Sequence, residues 1–363
     1  MIDRRTALKG AAATAVAALA CPSLARATPA AFAPKPGDWR TFEIRTRITL
    51  PSSKGVARVW VPTPSFAADD WTRPEPSTFS GDAAKADLIE GPIGMVVAEW
   101  REGAAAPTLE VVSRFSTRDR AVDLSASGAT LSAADRALYL APTELIPTDG
   151  IVAETAKKAV GDASTDRAKA EAIYQWVVAN TFRDAKVRGC GLGDVATMLE
   201  SGNLGGKCAD LNALFVGLAR AAGLPARDVY GIRVAPSRFG YKSLGANSET
   251  ITKAQHCRAE VWLDGPGWTP VDPADVRKVA LEEPPANLPL DDPKVAAARK
   301  TLFGAWEGNW LAFNDAHDVA LPGSAGPKLG FLMYPQAETV AGRLDCLDAD
   351  SFRYAITTRE IVA

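Results

Sequence analysis

Hydrophobic positions follow two different periods along this chain. Phe42, Ile44, Ile48 and Leu50 alternate with Glu43, Arg45, Arg47 and Thr49. A period of two marks a strand with one buried face. The run VARVWV at 56–61 is a second strand, with Ala57, Val59 and Val61 on one face, and Pro62 and Pro64 stop it. IGMVVAEW and TLEVVSRF add further strands, while turn formers crowd 62–92. Residues 38–128 therefore read as a small antiparallel β domain.

Residues 126–150 are mixed, punctuated by Pro142, Pro147 and Gly150, and after them the period lengthens. Ile173, Trp176 and Val177 mark one face of a helix over 166–180, with Thr165 or Asp166 at its cap. A short helix and a Gly-rich turn occupy GLGDVATMLESGNLGG. Leu211, Leu214, Phe215, Leu218 and Ala222 then recur at helical spacing, and Gly223 ends that helix as its C′ residue. ARDVYGIRV and CRAEVWL are strands, separated by a long loop at 235–254. Helices preceding an antiparallel sheet make 129–282 an α+β unit. A Pro-rich, acidic connection at 283–297 opens a C-terminal extension, 283–363, in which Phe352, Tyr354 and Ile356 alternate in a closing strand.

The first 27 residues stand apart from this pattern. Arg4, Arg5 and Lys9 precede an apolar stretch from Ala11 to Leu19, and Ala25-Arg26-Ala27 is a small-x-small cleavage site. Basic, apolar, small is the order of a secretory signal. DRRTALK resembles the twin-arginine export signal, with Ala7 where Phe is usual and Asp3 where Ser or Thr is. That reading implies the twin-arginine machinery as a partner of the precursor, and a mature protein that is periplasmic or secreted. The apolar stretch is too short to span a bilayer. Cys21 after ALA offers a lipid-attachment alternative.

Charge narrows the partners. The 363 residues carry a net charge of −2, and losing the signal would take it to −5. A nucleic-acid partner calls for a basic surface, which this balance does not supply. Net acidity of the mature chain favours a substrate that is not anionic. Beyond Cys21 there are four cysteines, Cys190, Cys208, Cys257 and Cys346, with no CxxC pair. This is neither a disulfide scaffold nor a zinc pattern, and no metal or cofactor is expected.

Cys208 carries the chemistry. In GGKCADLNALF it stands where a Gly-rich turn becomes a helix. Unpaired N–H groups and the helix dipole there favour a thiolate and could also hold an oxyanion. The chain has only two histidines. His256 opens a strand on which His256, Arg258, Glu260 and Trp262 share one face and Cys257, Ala259, Val261 and Leu263 the other, so Cys257 should point away from the site. Asp272 ends the next strand. If Trp262 pairs with Trp268, Asp272 falls opposite Arg258, diagonal to His256 and on its face; if Leu263 pairs with Trp268, it falls on the wrong face. The first register is expected, with a five-residue turn at 263–267. Asp275 and Glu260 are alternative acids, and Asp272-Pro273 could instead be a turn cap. In the expected arrangement Cys208 attacks an acyl carbon, His256 moves the proton and Asp272 orients the imidazole. His317, in NDAHDVALP, reads as a loop histidine making ordinary hydrogen bonds.

These segments resemble the transglutaminase-like superfamily, relatives of papain by fold. GGKCADLNALFVGLARAAGLPARDVYGIRV matches its G-x-C-x-D segment and the G-[IL]-P-A-R-x-V-x-G continuation; HCRAEVWLDGPGWTPVDP matches its H-x-x-x-E-V and G-W-x-x-x-D-P segments. The match spans 165–280. It implies a papain-like core with helices packed on an antiparallel sheet, a preceding β domain, and Cys208, His256 and Asp272 as nucleophile, base and orienting acid. It further implies a peptide or protein substrate, including peptidoglycan peptides, and leaves water or an amine as acceptor, beside a scaffold that has kept the fold without activity. For the oxyanion side chain Asn203 is the candidate, with Trp176 and Gln255 as rivals. Tyr230, Arg233 and Tyr241 are candidates to line the substrate groove.

Overall fold

A computed structural model describes residues 31–52 and 55–362. The signal segment and Cys21 lie outside the described residues.

The centre of the fold is the helix Cys208–Ala221, whose residues from Cys208 to Arg220 are all buried. Its apolar stripe explains only part of that burial. Asn212 and Arg220 are also enclosed, and their polar atoms are matched: Arg220 donates to the Ala226 and Ala141 carbonyls, and Asn212 to the Cys257 carbonyl. Helices Gly150–Val160 and Asp166–Asn180 cover one side. Thr165 caps the second by accepting from Ala168 N, as its sequence predicts. Gly223 takes the left-handed conformation just past the central helix.

On the other side lies an antiparallel sheet of four strands in the order Gly267–Val271, Gln255–Leu263, Ala226–Arg233, Trp310–Asn314. Val229, Ala259, Val261 and Val271 join Leu214, Phe215 and Leu218 of the helix in one core. This is the expected α+β architecture of helices on an antiparallel sheet. Trp262 pairs with Trp268, the register that carries Asp272 to the histidine's face. The turn is tighter than expected, because Leu263 still pairs with Gly267.

The β region consists of two five-stranded sheets. One runs Arg353–Ile361, Arg40–Thr49, Thr108–Thr117, Thr72–Pro74, with Thr78–Gly81 also on Thr108–Thr117. The other runs Gly342–Arg343, Gln336–Thr339, Ala57–Pro62, Met95–Trp100, Lys85–Ile89. Ile48, Leu109 and Val111 of the first share a core with Val59, Val96 and Trp100 of the second. Three of the strands come from the far end of the chain, so the β region is closed by the last thirty or so residues. A helix over Pro273–Glu282, hidden in the sequence behind its leading proline, follows directly on Asp272.

Candidate active site

Cys208 begins the central helix, and a buried carboxylate two residues on shapes the turn that precedes it. Asp210 accepts from the backbone N–H groups of Lys207, Leu192 and Gly193 at 2.9–3.0 Å. It thereby ties the helix start to the 190–193 turn. Ala209 N donates to the Cys190 carbonyl at 2.9 Å, a second tie between the same two segments. Gly206 is required by this packing: a Cβ there would stand 2.5 Å from Asp210 Cβ.

His256 is 3 % exposed and Asp272 fully buried. The imidazole Nε2 is 2.8 Å from Asp272 Oδ2 and 3.4 Å from Asp275 Oδ2. Both acids are held from behind. Asp275 receives Arg233 Nη2 on its two oxygens at 2.6 and 2.8 Å. Asp272 Oδ1 accepts from Asn212 Nδ2 and from Asp275 N, so this residue is an N-cap and a histidine partner together. Arg258 lies between the rings of Trp306 and Trp310, 3.7 Å from Asp272. Trp310 Nε1 donates to the His256 carbonyl and fixes the strand beneath the ring. The imidazole and two acids come close enough to one another to hold a metal ion. Here the guanidinium groups of Arg233 and Arg258 already supply positive charge to those carboxylates.

Cys208 and His256 line one cavity of about 630 Å³. Burial raises the Cys208 pKa, but interactions with the Cys190, Cys257 and His256 side chains outweigh it, and the thiol sits well below its ordinary value. For His256, burial and the Arg233 charge act downward. Asp275 and Asp272 act upward and prevail, pushing it to about 10. The two shifts favour a thiolate beside an imidazolium.

A model of the transglutaminase-like superfamily matches residues 153–273. An uncharacterised protein of Haemophilus influenzae is 36 % identical over 328 residues, covering 85 % of this chain and 88 % of its own. The chain belongs to the transglutaminase-like superfamily. The fold agrees with that membership: a Cytophaga hutchinsonii protein described as a candidate cysteine protease superposes with a TM-score of 0.53 at 15 % identity, over 89 % of this chain and 99 % of its own. The periplasmic domain of TgpA from Pseudomonas aeruginosa matches at 17 % identity and a TM-score of 0.35, over 66 % of this chain and 88 % of that domain.

Within this superfamily member the other sequence candidates fall in different places. Asn203 is exposed, and its Oδ1 accepts from Gly205 N in the turn; it is not among the cavity residues. Its rival Gln255 does line the cavity, with a buried Nε2 that has no protein partner. Arg233 lines the cavity too. Tyr230 and Tyr241 do not: Tyr230 stacks on Phe331 and meets His317 Nδ1, and Tyr241 donates to the Lys294 carbonyl beside Phe32. Both rings were needed to fill the core on the far sides of their segments. Glu260 is engaged by Arg120 and Arg227 and is unavailable to His256. His317 lies half-buried in a short strand rather than a loop, and desolvation together with the Arg220 charge pushes it down to about 3.

Cys257 does not line the cavity; it is fully buried in a core cluster that also holds Cys208, and burial holds its thiol well above its ordinary pKa. The strand face it occupies is the one covered by the central helix, whose first residue is Cys208. Cys190, Asn212 and Asp210 escaped sequence reasoning. Only Asp210 left a signal, its place in the quoted G-x-C-x-D motif.

Proposed function

We propose that this protein is a cysteine-dependent hydrolase of peptide-like amides, exported to the periplasm, with Cys208, His256 and Asp272 as its catalytic triad. The observation that carries the reading is the single cavity shared by a thiol of lowered pKa and an imidazole backed by two buried carboxylates.

The steps follow from the atoms. Asp272 occupies Nε2, which leaves Nδ1 of His256 to exchange a proton with the thiol. The thiolate attacks the amide carbonyl carbon, and the Cys208 N–H at the helix start stabilises the resulting oxyanion, the neighbouring Lys207 and Ala209 N–H groups being held by Asp210 and the Cys190 carbonyl. Gln255 Nε2, a donor with no protein partner, is the side chain best suited to assist it. The imidazolium protonates the leaving amine, and the C–N bond breaks to leave a thioester. Water, deprotonated by the neutral imidazole, then releases the acid and restores the thiol. An amine in place of water would make the same site a transglutaminase.

The test is alkylation of the purified full chain by a trace of iodoacetamide across pH, with each cysteine mapped by mass spectrometry. A depressed Cys208 pKa means the thiolate is present above that low value, and an imidazolium pKa of about 10 keeps the ion pair intact to that pH. Labelling of Cys208 should be fast below about pH 7 and nearly flat above it, and His256→Ala should slow it at least tenfold there. Labelling that rises only near about pH 8.5 would remove Cys208 from the catalytic role.

A further inference from the structure

The cavity that holds Cys208 and His256 is lined by six cationic side chains, Arg183, Arg188, Lys207, Arg233, Lys253 and Lys278, and by no aspartate or glutamate. Their partners decide how much of that charge is left for a ligand. Arg233 is fully engaged by Asp275, and Arg188 pairs with Asp345 at 2.8 Å. Arg183 and Lys278 share one carboxylate, that of Glu282. Lys207 and Lys253 have no ion-pair partner among the described residues. Lys207 immediately precedes the nucleophile, and Lys253 stands three residues before the histidine. The lining therefore carries a positive surplus, although the chain as a whole is net negative. Positive charge gathered in a cleft with low-dielectric walls focuses the field onto whatever enters it. Net charge points to a substrate that is not anionic, whereas the charge of this lining points the other way.

Beside the polar Asn247, Thr250, Thr252 and Gln255, the end of the chain adds Tyr334, Leu347, Phe352 and Tyr354 as an apolar wall. Such a cavity suits a chain that presents carboxylates close to its scissile bond and an apolar portion beside them. We propose that the substrate is an acidic peptide, with carboxylates flanking the amide that Cys208 attacks. Lys207 and Lys253 hold those nearest the reacting carbon, and the Arg183–Lys278 pair holds one further along. This proposal rests on the reading of Cys208 as a nucleophile activated by His256, and deepens it to a substrate class.

Matched affinity labels separate the two claims. Chloroacetyl-Glu-Glu-amide, chloroacetyl-Gln-Gln-amide and chloroacetyl-Lys-Lys-amide all alkylate by the same step: the thiolate forms an S–C bond and chloride leaves. Rates at Cys208 are measured by intact mass on the full chain and on Lys207→Gln/Lys253→Gln. The acidic label should react about tenfold or more faster than the basic one, and about 0.5 M salt should compress that ratio. The double variant should bring the ratio to within about threefold of one. Taking the ratio cancels any change in the thiol itself. Equal rates, or a faster basic label, would overturn the acidic-peptide proposal while fast Gln-Gln labelling left the nucleophile standing. Slow labelling by all three would remove both.

Discussion

The two oxygens of the Asp272 carboxylate go to different partners, Oδ2 to His256 and Oδ1 to the backbone N–H of Asp275 at a helix start. The helix cap and the partner of the histidine, which the sequence offered as alternatives, are the same residue. Substitution can separate them. Asp272→Asn keeps an oxygen for the cap and removes the charge from Nε2. The imidazolium is then less favoured, and Cys208 alkylation at about pH 6 should fall roughly tenfold or more with little change in melting temperature. Asp272→Ala should show the same kinetic loss and also cost about 1 kcal/mol from the missing cap. An unchanged pH profile in Asp272→Asn would pass the orienting role to Asp275, 3.4 Å from the same nitrogen. At this scale Cys208, His256 and Asp272 were legible as candidates because thiol, imidazole and carboxylate stand in a recognisable order in recognisable motifs. Arg258 and Arg233 were not legible as supports of the acids, because an arginine in a strand declares neither its partner nor its burial.

Among the elements, the start of the central helix shows how a loop is tied down beside the proposed nucleophile. Asp210 satisfies three backbone donors, from Lys207, Leu192 and Gly193. Asp210→Ala would leave them without that acceptor, the Gly193 N–H in a buried position, and a buried donor left unpaired costs about 1 kcal/mol or more. A loss of about 1–3 kcal/mol is expected in urea unfolding, together with slower Cys208 labelling in the native state as the helix start loosens. A wild-type urea midpoint would show that water takes over the role. The elements themselves were largely readable. The helix over 166–180, the central helix and the strand register at Trp262–Trp268 follow from periodicity and from the need to bury one face. The helix Pro273–Glu282 was missed because Asp-Pro signals a turn and a helix N-terminus alike.

For the whole molecule, the end of the chain is part of both the scaffold and the site. Arg353–Ile361 pairs with residues 41–49 of the strand Arg40–Thr49, and Phe352 and Tyr354 line the cavity that holds Cys208 and His256. Removing residues 351–363 strips one edge of a sheet and opens one wall of the cavity. The shortened chain should lose its cooperative melting transition by circular dichroism. A melt like that of the full chain would make the last strand an appendage. By itself the sequence determined the α+β class, the main strands, the helices around 166–180 and after Cys208, and the candidate residues for thiol chemistry, because faces, caps and motifs are written in local spacing. Tertiary structure alone decided that the C-terminal strands close the first sheets, that Cys257 shares a buried cluster with Cys208, and that the cavity is cationic in a net acidic chain. Each of these depends on which distant segments meet, and local spacing carries no record of a partner some three hundred residues away.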